Sequence, residues 1–351
     1  MQQSSPLNFS CPLPKLDFDA INLGHGSGGT LTSQLLDTGV FSLLGNELLD
    51  KKHDGAIFSL SGKTAVSTDT FVVSPIFFHG GNIGDLAVNG TINDLAMCGA
   101  RAKYLTLALV LEEGLSMESF WEILLSIKNA CAVADVQVIT GDTKVVERGK
   151  GDKIFINTTG IGEIHPRAAI GMERIKPGDK IILSGPLARH GIAIMSQRQG
   201  LEFETTIGSD TRPLGNIVLE LLDGFGEQIH MLRDPTRGGL ATVLNEIAGE
   251  SGLGIDLRQK NIMVEEEVAG ACEMLGLDPL YVANEGLFVA VVEEAVAGDL
   301  LLALRKWEHG SLAGIIGEVT GRHGKQVLMK SQIGGTRVVN MLAGEQLPRI
   351  C

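Results

Sequence analysis

The sequence has no Cys-x-x-Cys pair anywhere. Its five cysteines (Cys11, Cys98, Cys131, Cys272 and Cys351) are an odd number at wide spacing, so neither a disulfide framework nor a zinc site is indicated. No apolar run approaches the roughly 20 residues of a membrane span. The opening MQQSSPLNFSCPLPKLDFDA lacks a basic start followed by an apolar stretch, so it does not read as a secretory signal. A disordered, proline-punctuated lead-in is expected over residues 1–20. Basic charge is also scarce. Lys plus Arg is 29 against 42 Asp plus Glu, a net charge of −13. That balance argues against nucleic acid or an anionic membrane as the main partner. A cytoplasmic location is the default expectation.

What is present points to a globular α/β protein. The 351 residues are 44% apolar and include 45 glycines, and the length suits two domains of ordinary size. The first half alternates strand and helix. KTAVSTDTFVV suits a strand, IGDLAVNGTINDLAMCGA a helix stopped at Gly99, and AKYLTLALVLEEG a buried strand. SMESFWEILLSIKNACAVAD reads as a helix with Ser116 or Ser119 as its cap. VQVITGDTKVV reads as a strand, a turn and another strand. The pattern changes near residues 165–175, where IKPGDKIILSG is a Pro-Gly turn followed by a strand. A second α/β unit follows, containing the helix GGLATVLNEIAGESG and the strand GLFVAVV. Cys98, Cys131 and Cys272 lie in apolar helical stretches and read as small buried hydrophobes. The acidic run Glu265–Glu267 reads as a solvated face.

Three features carry chemistry. The first is GHGSGG, Gly24–Gly29, whose glycines permit the close backbone approach that phosphate cradling needs. It is not a Walker motif, and a mobile loop is the plain alternative. The second is a set of aspartates at unusual places: Asp54, Asp69, Asp94, Asp142 and Asp234. Taken singly, most read as caps, turns or solvated strand ends. Asp94 does not, because a carboxylate among Ile92, Leu95, Ala96 and Met97 must be paired or bound if buried. Converging carboxylates suit a hard cation such as Mg²⁺, which bridges to substrate phosphates. The third is Cys351, the last residue of the sequence, in EQLPRIC.

Together GHGSGG, STDTFVVSPIFFHGGNIGDLAVNGTINDLAMCGA, TGDTKVV, RDPTRGGLA, NEG and PRIC resemble the HypE carbamoyl dehydratase family of nickel–iron hydrogenase maturation. The resemblance covers essentially residues 20–351. It implies an aminoimidazole-ribonucleotide-synthetase-like fold of two α/β domains. Residues 21–168 would form a dimeric ATP-binding core, 169–341 a C-terminal domain, and 342–351 a mobile tail. It implies Mg²⁺ on Asp54, Asp69, Asp94 and Asp234. ATP would meet Gly26, Ser27, Gly28, Gly29, Asn93, Asp142, Thr236 and Arg237. Cys351 would carry a carbamoyl group, with Glu285 and Lys144 as proton-relay groups for its ATP-dependent dehydration to a thiocyanate. Implied partners are a second copy of the chain, the HypF carbamoyltransferase and a HypC–HypD scaffold that accepts cyanide. The tail would swing inward for dehydration and outward for loading and delivery; fully extended, it spans at most roughly 33–36 Å. The competing expectation is a small-molecule kinase or synthetase of the same superfamily, of selenophosphate or thiamine-phosphate type, which would not need Cys351.

Overall fold

The structure is a computed structural model that describes residues 18–52, 55–200, 207–341, 347 and 349–351. Cys11, Asp54 and Pro348 lie outside the described residues, as do residues 1–17 and 342–346 of the expected lead-in and tail. The end of the lead-in is ordered: Ala20 bridges to Ser116, and Ile21 is buried.

The first half opens with a 3-10 turn, Leu23–Gly26, then α1 (Thr30–Leu35) and α2 (Ser42–Leu44). GHGSGG is therefore partly helical, not an open loop. Four strands build the first sheet in the order β1 (Thr64–Phe71), β6 (Ile154–Ile164), β4 (Ala100–Glu112), β5 (Gln137–Val146). β6 runs antiparallel to β1 and β4, and β5 is parallel to β4. A small hairpin, β2 (Phe77–Phe78) and β3 (Gly81–Asn82), leads into α3.

Alternation decides which face is covered. Leu105, Leu107, Leu109 and Leu111 of β4 are buried, whereas Val110 on the other face is 36% exposed. α3 (Ile83–Met97) and α4 (Met117–Ala134) supply the rest of this core. α3 starts on a capping box, Asn82 with Asp85, and is buried nearly all round. A helix apolar on every side belongs inside, and α3 lies between the first sheet and the second half. α4 is capped by Ser116, whose hydroxyl accepts from Ser119 N. The expected turn in VQVITGDTKVV is absent. β5 runs unbroken through Gly141 and Asp142, because the parallel ladder to β4 supplies the hydrogen bonds that a turn would otherwise replace.

The second half is a seven-stranded sheet in the order β13 (Thr336–Val338), β12 (Val327–Lys330), β9 (Gly254–Arg258), β11 (Gly314–Thr320), β7 (Lys180–Leu183), β10 (Val289–Val292), β8 (Ile229–Arg233). One core gathers α5 (Arg189–Arg198), α7 (Gly239–Ser251) and α8 (Glu266–Leu275). Another gathers α6 (Gly215–Phe225) and α9 (Glu294–Lys306), and takes in Ala96 and Met97 of α3. The two halves are thus packed together along α3. Ile350 and Cys351 return to the first core, beside Ile194 of α5 and Ala283. Among the described residues, no helix is long and apolar enough to cross a membrane.

Candidate active site between the two cores

The site is strung along α3. Asp94 faces β1, and the Ser67 hydroxyl donates to its Oδ2 at 2.7 Å. Asp69 lies two residues along the same strand and so on the same face. The β8–α7 connection brings Asp234, Thr236 and Arg237 to this place. Ser67, Asp94, Cys98, Asp234, Thr236 and Arg237 line a cavity of about 530 Å³. Cys98 is exposed here rather than buried as expected, because it caps the end of α3 just before Gly99 turns the chain at φ +73°.

The electrostatics of this cavity are those of a crowded acidic cluster that Arg233 and Arg237 offset only in part. Burial raises the Asp94 carboxyl, the Ser67 bond opposes that, and the charge of Asp69 raises it further. Asp234 is pushed up to about 7, first by burial and then by Asp94. A cation would relieve this repulsion. Among the described residues, no three metal-ligating side chains converge tightly enough to hold an ion alone. Oxygen donors with room for phosphate oxygens fit Mg²⁺, which keeps waters and shares its coordination with a bound nucleotide.

Glu285 sits one α3 turn away. It is 4% exposed, and its Oε1 has no hydrogen-bond partner. Burial, then Asp234 and Asp210, hold its carboxyl well above the usual carboxylate range. Its backbone is fixed from two sides. Asp210 accepts from the N–H groups of Glu285 and Gly286, both at 3.1 Å. Asn93 Nδ2 donates to the carbonyls of Glu285 and Arg212 at 3.2 and 3.0 Å, and its Oδ1 accepts from Leu214 N at 2.8 Å. Asn93 is 1% exposed and its amide is fully committed. It therefore positions the Glu285 loop and has no group left for phosphate.

Cys351 packs against the first core, near enough to Glu285 for that charge to act on its thiol. Its thiol is pushed up to about 12, by burial first and by Glu285 next. The last three residues are held by Val72, Ser74, Asp152, His190 and Arg198. No local pattern marked His190, Arg198, Asp152 or Asp210 in the sequence, because the bonds they make to the tail or to the Glu285 loop span 75 to 197 residues.

A second group is set apart. Gly26, Gly28, Asp142 and Lys144 line a separate cavity of about 230 Å³. Ser27 turns back to the Gly24 carbonyl at 3.0 Å, and Gly29 precedes α1. Lys144 Nζ pairs with Asp142 at 2.7 Å. Asp142 stands opposite Ala108, Ala108 opposite Asn157, and Asn157 opposite Thr70. Three strand spacings of about 4.8 Å put it roughly 14 Å from β1. One chain therefore does not bring Lys144 to Cys351. His25 is a structural group: Asn22 N donates to its Nδ1 at 3.0 Å, and burial lowers its pKa. Glu265, expected in solvent, is instead paired with Arg189 at 2.7 Å.

The fold and the site define an AIR-synthase-type protein. The family described as AIR synthase related protein matches with its N-terminal domain over residues 52–164 and its C-terminal domain over 176–330. Carbamoyl dehydratase HypE of Azotobacter vinelandii is 48% identical over 333 residues, 95% of this chain and 97% of that protein. The Escherichia coli K12 protein of the same name is 40% identical, covering 94% and 99%. A crystal structure of hydrogenase maturation protein HypE in complex with ATP superimposes with a TM-score of 0.91 at 46% identity, covering 94% of this chain and 99% of that one. The chain belongs to the HypE carbamoyl dehydratase family. A thiamine monophosphate kinase from Aquifex aeolicus, at 16% identity and a TM-score of 0.59, shares the fold alone.

Proposed function

We propose that this protein performs the ATP-dependent dehydration of an S-carbamoyl group on its own Cys351, yielding a thiocyanate that supplies cyanide for hydrogenase iron. The carrying observation is Cys351 packed into the first core, within reach of the charges of a buried Glu285 with an unpartnered carboxylate oxygen and of Asp69 and Asp234. The kinase or synthetase alternative gives this thiol no reason to be there.

The carbamoyl oxygen is a poor leaving group. Transfer of the ATP γ-phosphoryl onto that oxygen releases ADP and turns it into a phosphate ester. One proton leaves the amide nitrogen as the C=N bond forms. The second leaves as the C–O bond breaks, giving phosphate and Cys–S–C≡N. Asp69, Asp94 and Asp234 would hold Mg²⁺, which offsets charge on the transferring phosphoryl. Thr236 and Arg237 face the same cavity and suit phosphate oxygens. Glu285 is placed to accept the nitrogen protons, and a raised pKa makes its ionised form the stronger base.

The separated second group supports a homodimer. A second copy packed on the half-exposed face of the first sheet would bring its Gly26–Gly29 turn, Asp142 and Lys144 to the nucleotide. HypE has been crystallised with HypF, in a structure that matches this chain at 42% identity. For this chain we assign a HypF-type carbamoyltransferase as the loading partner and a HypC–HypD scaffold as the acceptor. The test is Glu285→Gln, loaded by the carbamoyltransferase with carbamoyl phosphate and then given ATP. Intact-mass spectrometry should show the carbamoyl adduct on Cys351, with water loss slowed by about 10² or more. Water loss at the wild-type rate would remove Glu285 from the mechanism.

A further inference from the structure

The way residues 349–351 are held resembles ligand recognition more than chain continuation. Val72 N donates to the Cys351 carbonyl at 3.1 Å and Ser74 N to the Arg349 carbonyl at 3.3 Å. These bonds fall two residues apart on both sides and in opposite order, so the tail runs antiparallel to residues 72–74 without forming a ladder, since Arg349 turns in the left-handed region at φ +51°. Each side chain then has its own subsite. The Arg349 guanidinium donates to Asp152 at 2.6 Å and to the Val72 carbonyl at 3.0 Å, and lies over the Phe155 ring at 5.9 Å. Ile350 is 4% exposed within the first core. Cys351 is half-buried against the same core, where the charge of Glu285 acts on it.

The second half closes the cleft. His190 Nε2 meets the Ile350 carbonyl at 2.8 Å, and its Nδ1 meets the Ser209 hydroxyl at 2.8 Å. A carbonyl only accepts, so Nε2 carries the proton. Burial lowers the His190 pKa, so with Nε2 protonated Nδ1 is the acceptor and the Ser209 hydroxyl donates to it. The ring is fixed as one neutral tautomer. Arg198 donates to the carbonyls of Arg349 and Ser74, tying the tail to the segment beside it. The groups that bond the tail belong to residues 72–74, 152 and 190–198. Covalent attachment raises the local concentration of residues 349–351, to about millimolar for a short linker, but the bonds named above are made by the cleft.

We infer that this cleft is a peptide-recognition site in its own right, and that the protein dehydrates S-carbamoylcysteine in short peptides ending Arg-Ile-Cys supplied in trans. The inference rests on the dehydratase reading above. The balance is unchanged: peptide-S-C(=O)NH₂ and ATP give peptide-S-C≡N, ADP and phosphate. His190 and Arg198 act as positioning residues that set the register of the cysteine. Asp152 selects a cation two residues before it.

The test uses the full chain carrying Arg349→Glu and Cys351→Ser. Charge reversal opposite Asp152 then keeps its own tail out of the cleft. The probe is a synthetic S-carbamoyl Leu-Pro-Arg-Ile-Cys peptide at about millimolar concentration, with ATP and Mg²⁺, followed by peptide mass and ADP release. The expected result is loss of one water from the peptide with matching ADP. Glu in place of the peptide Arg, or Asp152→Ala in the protein, should slow it about tenfold, the effect of losing about 1.4 kcal/mol of binding. His190→Ala should slow it too. His190→Gln, which keeps an N–H near the Nε2 position, should restore turnover. In the wild-type protein, the same peptide ending in Ser should compete with the tail and speed alkylation of Cys351. If loaded wild-type protein loses water from Cys351 while the peptide neither turns over nor speeds alkylation, the cleft is not a recognition site. If neither tail nor peptide loses water, the dehydratase reading falls first.

Discussion

Cys351 and Glu285 are shifted by the same dry surroundings, and each shift has a measurable consequence. The docked thiol is pushed from its ordinary 9.0 to about 12, chiefly by burial. A raised thiol pKa means that docking favours the protonated form. Its contribution is complete below about pH 9 and is lost as the pH climbs towards 12. Iodoacetamide should therefore alkylate Cys351 at least about tenfold slower than a free Arg-Ile-Cys peptide near pH 7. The gap should close as the solution becomes alkaline; equal rates near pH 7 would contradict docking. Asp234→Asn removes one charge from the acidic cluster. The variant should melt at a higher temperature without ligand, yet lose the thermal stabilisation that ATP and Mg²⁺ give the parent. Asp94 was legible as a special residue because a carboxylate on an apolar helix needs a partner. Cys98 was misread because helical spacing cannot tell the last buried turn from the capping residue beyond it. Arg198 and His190 gave no signal, because nothing near them in sequence says that they meet residues 349 and 350.

At the scale of elements, α3 and the loop at Glu285 form one positioning device. Asn93 and Asp210 between them hold the Glu285 backbone from two sides. Gly286 has no room for a side chain, since a Cβ there would run into the Asp210 carbonyl. Asp210→Ala leaves two buried N–H groups without a partner, each costing about 1–3 kcal/mol. Urea denaturation should show a loss of about 2 kcal/mol or more, and dehydration should fall while ATP binding persists. Unchanged dehydration would mean that the loop is held in some other way. Helices were legible where caps and periodicity agree, as at Ser116 for α4. β5 was read as a hairpin because Thr140-Gly141-Asp142 has turn chemistry. In the sheet, Gly141 instead lies against the Leu107 carbonyl, where a Cβ has no space, and the glycine serves close strand approach.

For the whole molecule, the two cores meet at α3 and are bridged again by residues 349–351. The sequence pattern separated the halves near residue 170, and the structure has β6 ending at Ile164 and β7 starting at Lys180. The pattern could not show that Lys144 and Cys351 lie apart in one chain, since strand order is set by long-range pairing. If two chains share each site, a Lys144→Ala protein and a Glu285→Gln protein, each inactive, should recover dehydration when mixed and allowed to exchange subunits. One site in each mixed dimer would then hold an intact Lys144 and an intact Glu285. No recovery in verified mixed dimers would place Lys144 outside the shared site. The central claim, that Cys351 carries the group the protein dehydrates, is tested most directly by the intact mass of the wild-type chain. It is incubated with the carbamoyltransferase and carbamoyl phosphate, and then given ATP and Mg²⁺. A carbamoyl adduct on Cys351 that loses one water only after ATP is added is the predicted result. An unmodified Cys351, with ATP consumed on a free small molecule, would contradict it.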